Sequence, residues 1–159
     1  SLSNGVIMDM GCYCLHAMVR LFGAPERVRA DCFKLSNGFD GGGIVLLRYP
    51  GFVAEAIYSK VSRQVAPTTL LGEDGAILLD DINHIRRIWL QPRQGEARDL
   101  PYQEKLPNNM MYELSHFCAM VSGDMDPAPW NRWSEITLEV MDAARADMGV
   151  VFPADRAGG

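Results

Sequence analysis

Between Glu26 and Leu90 the chain passes through one strand-like segment after another, and the gaps between most of them are only long enough for turns. Glu26 to Leu35 alternates in part, through Val28, Ala30 and Cys32. Ser36 to Gly43 is a turn cluster rich in glycine, Ile44 to Tyr49 is a strongly apolar strand, and Pro50-Gly51 is a tight turn. In the next strand, Phe52 to Val61, residues Phe52, Ala54, Ala56 and Tyr58 point one way while Val53, Glu55, Ile57 and Ser59 point the other. Thr68–Leu71 and Ala76–Leu79 flank Gly72-Glu73-Asp74-Gly75 as a hairpin, and Ile85 to Leu90 is a further strand. Parallel neighbours need a crossover of a dozen residues or more. Strands joined by short turns must therefore pair antiparallel.

Helical patterns bracket this run. Gly5 to Phe22 is nearly continuous in apolar residues, with Ser3 or Asn4 as the expected cap and Gly23-Ala24-Pro25 as the stop. Gln91 to Asn109 is polar and reads as a loop. Met110 to Val121 is a second helix. Asp126 to Trp133 reads as a loop, and Ser134 is placed to cap a last helix that runs to about Met148. The order predicts an α+β fold: an open, mostly antiparallel sheet of about six strands with helices packed on one face. At 159 residues the chain fits one domain, 1–156, with a short tail at 157–159.

Composition removes several function classes. Fifteen Lys and Arg against twenty Asp and Glu give a net charge of −5, so there is no basic footprint for nucleic acid. The longest apolar runs, such as Ile44–Leu47, are too short to span a membrane, and no leader-like segment opens the chain. The cysteines at 12, 14, 32 and 118 make no C-x-x-C and no zinc spacing, which predicts reduced thiols, a cytoplasmic setting and no metal. Gly41-Gly42-Gly43 leads into a strand, so it is expected to be a hairpin turn and not a dinucleotide loop. No P-loop, nucleophile elbow or nucleophilic triad is signalled.

The first helix carries the chemistry-bearing residues. Asp9, Tyr13, His16 and Arg20 follow one another at spacings of 4, 3 and 4, which places them on one narrow stripe of an otherwise apolar helix. A carboxylate one turn from a phenol suits acid–base work: the carboxylate orients, and the phenol exchanges a proton when a cation lies near. The same stripe also reads as a plain solvated face.

Asn4-Gly5-Val6-Ile7-Met8-Asp9-Met10-Gly11-Cys12-Tyr13-Cys14-Leu15-His16, followed by Leu21-Phe22-Gly23-Ala24-Pro25, resembles the opening of the C-terminal domain of Gfo/Idh/MocA oxidoreductases, with its D-x-G-x-(H or Y) segment. Leu47–Gly51, Leu71–Ile77, Met111–Phe117 and Met148–Asp155 resemble later stretches of the same domain, in the same order. Tyr at position 13 resembles the branch that contains dihydrodiol dehydrogenase and glucose–fructose oxidoreductase. The resemblance implies a chain that binds substrate and self-associates, while a separate N-terminal Rossmann domain holds NAD or NADP. It implies Tyr13 as the acid/base, Asp9 as its orienting carboxylate, and His16 as a contact to a sugar, polyol or diol hydroxyl. Tyr112 and Lys34 are further substrate-contact candidates, although core packing for Tyr112 and a solvated strand end for Lys34 are the plainer readings.

The start at Ser1, without Met, reads as that of an internal domain, and the nucleotide-binding half is expected to lie outside the chain. The resemblance then implies that the 159 residues alone are inactive. Trp130, Trp133 and the methionines, Met110-Met111 included, are expected to pack. The half-apolar face of the sheet left bare by the helices predicts a homodimer. A free-standing, non-catalytic sheet module that binds a partner or small ligand is the competing reading.

Overall fold

The computed structural model describes residues 5–63, 65–102, 108, 110–152 and 155. The expected caps Ser3 and Asn4, the 157–159 tail and parts of the expected loop before Met110 lie outside the described residues. The chain divides into two compact units, Ser1–Val65 with Arg132–Gly159, and Ala66–Asn131. The fold is α+β with open antiparallel sheets, as the pattern of turns predicts. The strands divide, however, into two sheets, β1-β2-β3 and β4-β5-β6-β7, instead of one.

In the first unit β1 (Arg27–Lys34), β2 (Asp40–Tyr49) and β3 (Phe52–Ser59) form a meander. Tyr49 pairs with Phe52 across Pro50-Gly51, where Pro sets its own φ and Gly51 takes φ 85°, a left-handed conformation that costs other residues a steric penalty. Gly41–Gly43 lie inside β2 and not in the turn, which corrects the hairpin reading of that tract. The physical reason is close packing: the Phe33 ring and the Leu35 side chain lie against Gly41, and the Tyr58 hydroxyl against Gly43, where any Cβ would collide. The open edge of β1 is guarded, because the Asp147 carboxylate accepts the Ala30 amide and pairs with Arg29.

Two helices cover one face of this sheet. A π-helical turn, Ile7–Gly11, runs into α1 (Cys12–Phe22), and α3 spans Ala128–Met148. Val6, Ile7, Leu15 and Val19 meet Val45, Leu47, Tyr49, Ala56 and Tyr58 of the sheet and Ile136, Val140, Met141, Ala144 and Met148 of α3 in one buried core. Each such aliphatic side chain contributes about 1.5–3 kcal/mol on burial. The alternation predicted for β3 is observed: Ala56 and Tyr58 are buried, whereas Val53, Glu55 and Ile57 face outward. On the same outer face Leu46 and Arg48 of β2 are exposed as well.

Ser134 does not cap α3 but lies within it, since the helix starts at Ala128. Asp126 Oδ1 accepts the Ala128 amide at 2.9 Å, and Pro129, in the first turn, has no amide to leave unpaired there. The Asp126–Trp133 stretch is therefore a helix start carrying two early prolines, not a loop.

In the second unit β4 (Thr68–Gly72) and β5 (Gly75–Leu79) form the predicted hairpin, and β6 (Ile88–Pro92) and β7 (Arg98–Asp99) complete the sheet. The strand expected from Ile85 starts later because Asp80 Oδ1 accepts the amides of Arg86 and Arg87, which removes both from the ladder. The helix α2 (Met110–Ser122) buries none of its residues, and Met110 and Met111 are exposed instead of filling a core. Among the described residues no helix is long and apolar enough to cross a membrane.

Candidate active site

The segment that carries Asp9 is held by two contacts from the sheet below. Ile7 N–H donates to Asp40 Oδ2 at 2.7 Å, and both residues are fully buried. Gly5 makes room for that carboxylate, since a Cβ there would overlap Asp40 Oδ1. Gly11 lets the turn settle on the Tyr58 ring: a Cβ would come within 3.4 Å of Tyr58 Cδ1 and 3.1 Å of Ile7 Cγ1. The two glycines of this stretch are thus explained by close approach and not by backbone angle. Burial, and after it the Asp40 charge, push the Tyr58 phenol well above its ordinary range, so Tyr58 is a neutral packing residue.

The Cys12 amide reaches back to Ile7 O, which makes the turn one residue wider than an α-helical turn. Such wide turns frequently mark functional sites. The widening lies between Asp9 and α1, so the evenly spaced four-residue stripe expected from a 3.6-residue period holds only from Tyr13 onward.

The four residues divide by environment. Asp9 and Tyr13 are exposed, Tyr13 by 59%. Asp9 forms an ion pair with Lys60, at the end of β3. His16 is half-buried, and its Nδ1 lies 3.0 Å from Thr137 Oγ1 on α3. Burial, and secondarily the Arg20 charge, lower the His16 pKa, so the ring is neutral near pH 7. The Arg20 guanidinium stacks over the Trp133 ring, 4.4 Å from its centroid. The helix is therefore open to a ligand at its Asp9–Tyr13 end and packed against α3 at its Arg20 end.

Lys34 Nζ donates to Gly149 O at 2.7 Å and caps the C-terminus of α3, where its charge also suits the helix dipole. Tyr112 is half-buried on α2, in the second unit. The Trp130 ring, in that unit too, packs on His116 in a tilted arrangement, with ring centroids 4.9 Å apart. Lys60, Asp40 and Thr137 are the residues that sequence reasoning missed. Each reaches the helix from another element, and no local pattern announces it.

Among the described residues no cluster of three His, Cys, Asp or Glu side chains could hold a metal. A dinucleotide sets its pyrophosphate on free helix N–H groups. Three of these amides already have a side-chain acceptor: Asp40 on Ile7, Asn108 on Met110 and Asp126 on Ala128. Two of these are carboxylates, which repel phosphate. At these three places a side chain therefore already meets an amide that a phosphate would use.

Residues 1–78 match the family model described as the GFO/IDH/MocA C-terminal domain. A relative from Bacillus subtilis, scyllo-inositol 2-dehydrogenase (NADP(+)) IolU, is 39% identical over 158 residues, covering 98% of this chain and 48% of that protein. The chain belongs to the Gfo/Idh/MocA family. Mouse trans-1,2-dihydrobenzene-1,2-diol dehydrogenase is 27% identical over 97% of the chain and 49% of its own length. This Gfo/Idh/MocA chain thus spans about half the length of the curated relatives it matches. Among solved structures, UDP-N-acetylglucosamine 3-dehydrogenase GnnA from Acidithiobacillus ferrooxidans shares the fold, with a TM-score of 0.70 at 21% identity over 92% of this chain and 49% of that one.

Proposed function

We propose that the chain is the substrate-binding domain of an NAD(P)-dependent oxidoreductase that acts on a hydroxyl of a sugar, polyol or diol. The observation that carries this reading is the exposed Tyr13 phenol beside the wide turn that bears the Asp9–Lys60 ion pair. The dehydrogenase relatives support the reaction class. In this reading Tyr13 Oη exchanges a proton with the substrate hydroxyl, Asp9 orients it, and Lys60 holds Asp9 in place. His16 contacts a second hydroxyl. Lys34, already engaged at the end of α3, is a further contact in this reading. The nicotinamide cofactor would bind to a domain outside these 159 residues.

The outward face of β2 and β3, with Leu46, Val53 and Ile57 exposed between Arg48 and Glu55, is proposed to pair with the same face of a second copy. A second reading, a non-catalytic ligand-binding module, is favoured by one observation: among the described residues the Ile7, Met110 and Ala128 amides at helix starts each already meet a side-chain acceptor. Tyr13→Phe in the longer enzyme separates the two. The first reading expects kcat to fall by about 10²–10⁴-fold while dinucleotide binding survives. An unchanged kcat removes Tyr13 from the mechanism.

A further inference from the structure

Thr137 makes two contacts through one hydroxyl. Its Oγ1 lies 2.7 Å from Trp133 O, one helical turn back, and 3.0 Å from His16 Nδ1. A hydroxyl has one proton and two lone pairs. A carbonyl oxygen has no proton to give, so the 2.7 Å contact to Trp133 O is a hydrogen bond only if Thr137 donates it. This is the usual back-bond of a threonine inside a helix. With its proton spent there, Oγ1 can only accept from the imidazole. The Nδ1 of His16 must then carry the hydrogen.

We propose that Thr137 is a positioning residue that holds His16 as the Nδ1–H tautomer, so that Nε2 is presented as a hydrogen-bond acceptor for a second hydroxyl of the substrate. Nε2 makes no hydrogen bond among the described residues. An acceptor at this point welcomes an alcohol and rejects a carbonyl or ether oxygen, which would set two lone pairs against each other. The site then selects polyhydroxylated molecules over isolated ketones or alcohols, because a group built to meet a hydroxyl is left unpaired by an analogue that lacks one. The substrate clause of this inference rests on the reading proposed above, whereas the tautomer rests on geometry alone. Thr137 is only 4% exposed, so its role passes through His16 and not through contact with substrate.

The test is nitrogen NMR of the 159-residue chain with labelled histidine, which has three histidines, with His16 assigned by its loss in His16→Gln. The expected result is a protonated Nδ1 and a bare Nε2 at neutral pH. Thr137→Val keeps the branched shape but has no acceptor, and should move the proton to Nε2; Thr137→Ser should restore the Nδ1–H form. A wild-type His16 protonated at Nε2, or a tautomer unmoved by Thr137→Val in a folded variant, overturns the proposal. In the longer enzyme, Thr137→Val should raise KM for a polyol about tenfold, the worth of one neutral hydrogen bond, and leave kcat within a few-fold. An unchanged KM overturns the substrate role of Nε2. If the longer enzyme oxidises no hydroxyl compound at all, the functional reading falls while the NMR result still decides the tautomer.

Discussion

Removing the Asp40 carboxylate should loosen the turn that carries Asp9. In Asp40→Ala the Ile7 amide loses its acceptor at 2.7 Å, and both residues are fully buried, so water cannot replace it without opening the core. A hydrogen bond to a charged group is worth about 1.5–3 kcal/mol. One term opposes this loss. Asp40 Oδ1 is buried without a partner, and deleting it recovers some desolvation cost. Asp40→Asn separates the two effects: it keeps an oxygen for the Ile7 amide and sheds the charge. The Ala variant should therefore unfold about 3–12 °C below wild type, at 2–4 °C per kcal/mol for a chain of this size. The Asn variant should stay within about 1 kcal/mol of wild type. Amide exchange at Ile7 should quicken about tenfold to a hundredfold in Ala, which is the same energy read at one position. Thermal melts and hydrogen exchange followed by NMR check both. If Asp40→Ala is as stable as Asp40→Asn and the Ile7 amide exchanges no faster, the capping argument is wrong.

Gly5→Ala pushes a methyl into the Asp40 carboxylate and should cost about 1–3 kcal/mol in wild type, but much less in the Asp40→Ala background; equal costs in both would show that the two residues do not crowd each other. His16 has a lowered pKa in the folded chain, so the unfolded chain takes up its proton first as pH falls through about 6.5, and the stability His16 contributes is full above that pH and declines below it. Melts at pH 7.5 and 5.5 should show a smaller acid loss in His16→Gln; an identical loss refutes the assignment. Ile57→Lys should give the mass of one chain by light scattering where the wild type gives two, and a wild-type monomer at high micromolar concentration refutes the sheet-face dimer.

Much of the fold is legible in the sequence because it is decided locally. Pro50-Gly51 and Gly72-Glu73-Asp74-Gly75 force antiparallel hairpins through backbone preference alone. The period-2 pattern of β3 assigns Ala56 and Tyr58 to the core and Val53 and Ile57 to the surface. Local patterns misled where a side chain from elsewhere in the chain, or a few residues away, changed the boundary. Asp80 delayed β6, Asp126 started α3 early, and the Phe33 ring and the Tyr58 side chain lie so close to Gly41–Gly43 that only glycine fits these positions of β2. The candidate site follows the same division. Asp9, Tyr13 and His16 are visible as a motif, since they occupy one short stretch of helix.

The α+β order of elements, the antiparallel pairing and the polar stripe on the first helix follow from local patterns in the sequence. Tertiary structure alone decided how that stripe is used. The Asp40 cap lies 33 residues from Ile7, and Thr137 lies 121 residues from His16. The wide turn at Ile7–Gly11 depends on Asp40, Tyr58 and the two glycines that admit them. Local preferences set helix, strand and turn, because they act over a few bonds. Which buried acceptor meets which amide, and which nitrogen of a histidine keeps its proton, depends on distances that exist only once the sheet and both helices have closed around a common core.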